Sequence, residues 1–133
     1  MPATKRTFKI TMSERCFRFK PDALDSHAPR GPGVFEFVIF DPQVQPIVLY
    51  VAATDSIYSS LANHLMGNAK PTADELFKIS KDVYFDYVAA SDAEGPEDFK
   101  DIAGALIRHH KPRLNKGPVP SSGRFESVEL DEN

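Results

Sequence analysis

Hydrophobic positions are densest between Gly33 and His64, and the period of the pattern changes within that stretch. From Val34 to Phe40 the residues are β-branched or aromatic, with Phe35, Phe37 and Ile39 pointing one way and Val34, Glu36, Val38 and Phe40 the other. A strand apolar on nearly both faces belongs inside a sheet. Asp41 to Pro46 is a turn with two prolines, and Ile47 to Ala53 is a second apolar run, so the pair predicts a hairpin. Thr54 or Asp55 then caps a helix on which Ile57, Leu61 and Leu65 fall at i, i+4 and i+8.

The flanking sequence is less regular. Residues 1 to 12 read as a flexible or edge segment, Arg15 to Lys20 as a short strand, and Pro21 to Pro32, with three prolines, as a loop in which His27 is solvated. Gly67 is placed to end the first helix in a left-handed cap. Thr72 and Glu75 have capping-box spacing before Leu76, Phe77 and Ile79, which predicts a short second helix. Asp82 to Ala90 alternates as a third strand. Gly95-Pro96 opens a last helix with Phe99, Ile102, Ala103, Leu106, Ile107 and His110 inward, ending at Lys111 before Pro112. Residues 117–123 have linker composition, and FESVEL adds an edge strand before an acidic, disordered end.

The order of elements predicts an α/β sandwich, a small, mainly antiparallel three-stranded sheet flanked by helices. The expected organisation is a basic extension over 1–30, one domain over 31–116, and a linker with an acidic tail over 117–133.

Charge changes this picture more than composition does. The net charge of −3 argues against a nucleic-acid binder. Its distribution does not: residues 1–30 carry seven Lys or Arg against three acids, 31–104 four against twelve, 105–116 four against none, and 117–133 one against four. Two basic segments brought to one face would give a local positive field despite the negative total; scattered solvated side chains are the ordinary alternative. The single Cys16 has no partner for a disulfide or zinc site, no apolar run approaches a membrane span, and the first twelve residues lack a secretion signal. The expectation is a soluble cytoplasmic protein without cofactor or metal.

Four segments together resemble the GIY-YIG nuclease domain: Pro32-Gly33-Val34-Phe35, Leu49-Tyr50-Val51-Ala52, Leu61-x-x-His64, and Leu106-Ile107 followed by Lys111-Pro112-Arg113-Leu114-Asn115. The last is the most specific, and the likeness spans roughly residues 31–116. It implies a fold that cuts phosphodiesters with two strand tyrosines, a glycine, a helix arginine and a metal-holding glutamate, which together activate water and meet the charge of the transition state.

Here most of those groups are replaced. Phe35 stands for the first tyrosine, Ala52 for the glycine, Ser60 for the arginine and Ala103 for the glutamate, while Tyr50, His64 and Asn115 remain. The resemblance therefore implies a nuclease fold without phosphodiesterase machinery. Phosphate binding needs only charge and amide donors, so it can persist. Arg108, His109, His110, Lys111, Arg113 and Lys116 are the candidates to bind DNA or RNA, with Arg15, Arg18 and Lys20 possible neighbours. Adjacent helical His109 and His110 point about 100 degrees apart, which does not suit one metal ion. The alternative is a protein-interaction or inhibitor module using the acidic middle and tail, and a third reading is a nuclease with rearranged residues.

Overall fold

A computed structural model describes residues 3–132; residues 1, 2 and 133, the extreme ends of the expected basic extension and acidic tail, lie outside it. The elements in order are β1 (Ala3–Met12), β2 (Phe17–Arg18), α1 (Pro21–His27), β3 (Gly33–Phe40), β4 (Pro46–Thr54), α2 (Ile57–Leu65), α3 (Ala73–Ile79), β5 (Tyr84–Ser91), α4 (Pro96–His110) and β6 (Phe125–Glu132).

The sheet is larger than the expected three strands. Its order is β4-β3-β5-β1-β6, and β2 also pairs with β5. The expected strands are the antiparallel β4-β3-β5 half. β1 adds antiparallel to the end of β5, and β6 lies parallel to β1, so the sheet is mixed. Residues 3–12 are thus an internal strand. Phe8 and Ile10 are buried while Lys5, Thr7 and Lys9 face solvent, an alternation of period two that the dense charge of this segment obscures. The segment beyond 124 is likewise ordered through Glu132, because Phe125 and every residue from Ser127 to Glu132 find partners on β1 rather than trailing into solvent.

Two further expectations change. The loop foreseen over Pro21–Pro32 begins with the helix α1, where Pro21 occupies the first turn and Ala23 and Leu24 are buried. Its His27 is exposed but stacks on Phe17, ring centroids 4.2 Å apart. The strand foreseen over 15–20 shrinks to two residues. The cap of α2 is Ser56, whose side chain accepts from the Ser59 amide, not Thr54 or Asp55. The capping box of Thr72 and Glu75 is present, and Gly67 has φ of 81°.

Helices cover both faces. On one side α1, α2 and α3 set Leu24, Ile57, Leu61 and Leu76 against Phe35, Phe37, Leu49 and Phe85. On the other, α4 sets Ile102, Ala103, Leu106 and Ile107 against Val34, Val51, Val88, Phe8 and Ile10. The alternation read along β3 is what divides Phe35 and Phe37 from Val34 between these two cores. Among the described residues no helix is long and apolar enough to cross a membrane.

After α4 the chain doubles back over it. Lys111 adopts a left-handed conformation (φ 50°, ψ 56°), so the following segment turns toward the free edge of β4. The Leu114 amide donates to the Leu49 carbonyl at 3.1 Å. The Asn115 side chain completes the edge: its Oδ1 accepts from the Val51 amide at 3.0 Å and its Nδ2 donates to the Val51 carbonyl at 2.9 Å. Residues 117–123 then cross α4 as a strap. It is clamped by buried Asp101, which accepts from the Ser122 amide, the Ser122 hydroxyl and Arg124, while Arg124 also reaches Asp98 at 2.7 Å. Gly104 is where the strap passes closest, since a Cβ there would overlap the Pro120 carbonyl oxygen.

Candidate functional site

The doubling-back creates a groove of about 970 Å³ between the β4 edge, α4 and the strap. Three of the positions singled out by the resemblance, Tyr50, Ala52 and Asn115, line it, and so do Arg108, Lys111 and Lys116 from the basic set. Lys100 joins them from α4, about two turns before Arg108 and three before Lys111. Against these four cations the groove carries a single carboxylate, Asp55. Lys100 contacts Glu97 at 3.5 Å, an exposed pair worth little, and Arg108, Lys111 and Lys116 pair with no carboxylate among the described residues. All four side chains are exposed, so the local field is positive on a chain whose total charge is −3. Between the charges lie apolar Phe99, Ile107, Val119 and several prolines, together with polar Thr54 and Asn115.

The remaining predicted positions go elsewhere. Phe35 and His64 meet on the α2 side of the sheet, where the ring of groove-lining Tyr50 also reaches them, with His64 edge-on to both rings at 5.7 and 5.6 Å. Phe35 is 1 % exposed. His64 is buried, its Nδ1 2.9 Å from the Pro71 carbonyl oxygen, and burial pushes its pKa down, so it is a neutral packing element at pH 7. Burial likewise raises Tyr50, which keeps its phenol protonated. Ser60 bonds Thr54 through the two hydroxyls. Ala103 lies on the opposite side of the sheet, sealed in the α4 core.

The basic candidates also divide. Arg113 is exposed but does not line the groove. His109 and His110 stack edge-on at 4.8 Å and line a smaller cavity of about 370 Å³, facing Glu129 and Glu132 of β6. Arg18 is paired with Asp82 at 3.0 Å. Among the described residues no group of three or more His, Cys, Asp or Glu side chains is arranged to hold a metal ion.

A second cluster lies under the end of α4. Glu36 of β3 and Asp86 of β5 are cross-strand partners, Glu36 is 3 % exposed, and each has a buried oxygen with no hydrogen-bond partner. Burial first, then the charge of Asp86, pushes the Glu36 carboxyl up to about 10. It carries the proton and donates toward Asp86; burial raises Asp86 too, opposed by bonds from Glu36 and from the Cys16 thiol, 3.7 Å away. His110 Nε2 stands 3.5 Å from Glu36 Oε2, but burial and His109 lower its pKa, so this contact joins two neutral groups and not an ion pair.

No protein-family model, curated protein or solved structure matches this chain. The groove and the carboxyl pair therefore stand on their own chemistry. Lys100 is not among the basic residues the sequence singles out, because nothing in a helix marks which lysine will face a later strap, and the clamp on Asp101 has no local signal, because Ser122 and Arg124 lie more than twenty residues away. Sequence reading assigned Glu36 to the inner strand without a partner. An acid isolated in an apolar run is a signal, and its pairing with Asp86 follows once the register is known.

Proposed function

We propose that this chain is a catalytically inactive GIY-YIG-like domain that binds nucleic acid through the basic groove between β4 and the end of α4. The convergence of Lys100, Arg108, Lys111 and Lys116 beside Tyr50 and Asn115 carries this reading, since cations concentrated on a negatively charged chain, with only Lys100 in an ion pair among the described residues, are the electrostatic footprint of a phosphate site. The order of elements from β3 to α4 and the hairpin-centred strand order β4-β3-β5 fit the resemblance.

The loss of catalysis rests on side chains. Phe35 offers no hydroxyl, Ser60 no guanidinium, and Ala103 no carboxylate, and Phe35 and Ala103 are closed to solvent. Phosphodiester hydrolysis needs a nucleophile activated and charge neutralised at one phosphate, and these positions supply neither. A gel shift with DNA and RNA of mixed structure tests the binding. The complex should form at low salt and be lost on joint reversal of Arg108, Lys111 and Lys116 to Glu; an undiminished shift by that variant rejects the groove.

A protein-interaction module is the second reading. One observation favours it: Phe40, Val44 and Ile47 are 36 %, 72 % and 42 % exposed together around the β3–β4 turn, an apolar tip beyond what a hairpin needs.

A further inference from the structure

The groove is not a plain cationic surface. Its charges stand exposed at the rim, on Lys100, Arg108, Lys111 and Lys116, and within it half-buried Phe99 and buried Ile107 give an apolar surface beside polar Thr54 and Asn115, with Val119, 40 % exposed, on the strap wall. From Lys100 to Lys111 the helix runs about 16 Å, so the rim offers cations along a line and not at one point. A duplex presents phosphates on its outside and keeps its bases stacked within, so its backbone could reach the rim while the apolar surface stayed wet. An unpaired strand brings phosphates and base faces together, which is the combination this groove can receive.

We infer, building on the reading of the groove as a nucleic-acid site, that its ligand is single-stranded nucleic acid whose phosphates meet the rim cations while a base packs on Phe99, Ile107 and Val119. The chemistry is non-sequence-specific: cations track a backbone and an aromatic or aliphatic face accepts any base. The strap is part of the site, because Val119 and Pro120 form one wall and Asp101 holds that wall against α4 through Ser122 and Arg124. The groove carries this by charge complementarity at its rim and by the apolar surface within it.

Fluorescence anisotropy with the full chain tests it, using three labelled probes of equal length at one salt concentration: a single-stranded oligonucleotide, the same strand with abasic sites throughout, and a hairpin duplex. The intact single strand should bind at least about tenfold tighter than either other probe, the effect of one stacked base. Val119→Ser, at an exposed strap position, and Phe99→Ala, checked for folding by thermal melting, should weaken the intact strand severalfold and leave the abasic strand unchanged. Equal affinity for all three probes overturns this inference and leaves a phosphate-binding groove. No binding to any probe overturns the reading of the groove itself, and the inference with it.

Discussion

Glu36 and Asp86 face each other directly across β3 and β5, two carboxyls enclosed by α4, Cys16 and His110 with the Glu36 proton between them. Burial keeps the Glu36 carboxyl protonated at neutral pH, and it raises Asp86 against the lowering effect of the bonds from Glu36 and Cys16. The unfolded chain would release the Glu36 proton near its ordinary value of 4.5, whereas the folded chain keeps it to about 10. Between those values the folded state binds the extra proton, so stability is full below about pH 4.5 on this account and falls as pH rises toward 10. Urea denaturation at pH 5, 7 and 9 should give a falling unfolding free energy. Glu36→Gln, which keeps shape and donor, should flatten that dependence and stabilise the protein at pH 9 by roughly 1–3 kcal/mol. An unchanged slope in the variant would remove Glu36 as its source.

The same pair governs Cys16. Burial, and then the charge of Asp86, push its thiol up to about 12, so little thiolate exists at pH 8. Alkylation by iodoacetamide at that pH should run at least about tenfold slower in the folded protein than in urea, and Asp86→Asn should speed it without unfolding the chain. Equal rates in folded and unfolded protein would contradict the burial and pairing of this thiol.

How much of this was legible in the sequence depended on whether the signal was local. The hairpin, the α2 periodicity and the Thr72–Glu75 capping box each lie within a few residues of themselves, and all three are in place. β1 was not seen because its reward comes from β5 and β6, about 80 and 120 residues away, and its lysines mask the Phe8 and Ile10 alternation. For the site, Arg108, Lys111 and Lys116 could be read as a basic run, but their joining to Tyr50 depends on the left-handed turn at Lys111 and on Asn115 pairing with Val51. Neither is a periodic feature. The clamp on Asp101 has no local signal, because its partners, Ser122 and Arg124, come from a segment of linker composition and the residue just beyond it.

Gly104 tests the strap. In an isolated helix, alanine for glycine would stabilise by about 1 kcal/mol. Here the new methyl meets the Pro120 carbonyl oxygen, and backbone held at both ends by Asp101 and Asn115 cannot move freely. Overpacking of this kind costs about 1–3 kcal/mol and should win. Gly104→Ala should lower the melting temperature by several degrees and widen the groove, raising the proteolytic sensitivity of residues 117–123. A melting temperature above wild type would contradict the close crossing.

The measurement that tests the account most directly is the salt dependence of single-strand binding by the wild-type chain and by Arg108→Glu/Lys111→Glu/Lys116→Glu. Each phosphate contact contributes about 0.7 to the slope of log affinity against log salt for a single strand. With three or four rim cations engaged, the wild-type slope should lie near −2 to −3, and the variant should lose nearly all binding at every salt concentration. A wild-type slope near zero, or a variant with unchanged affinity and slope, would contradict the claim that this groove holds phosphate.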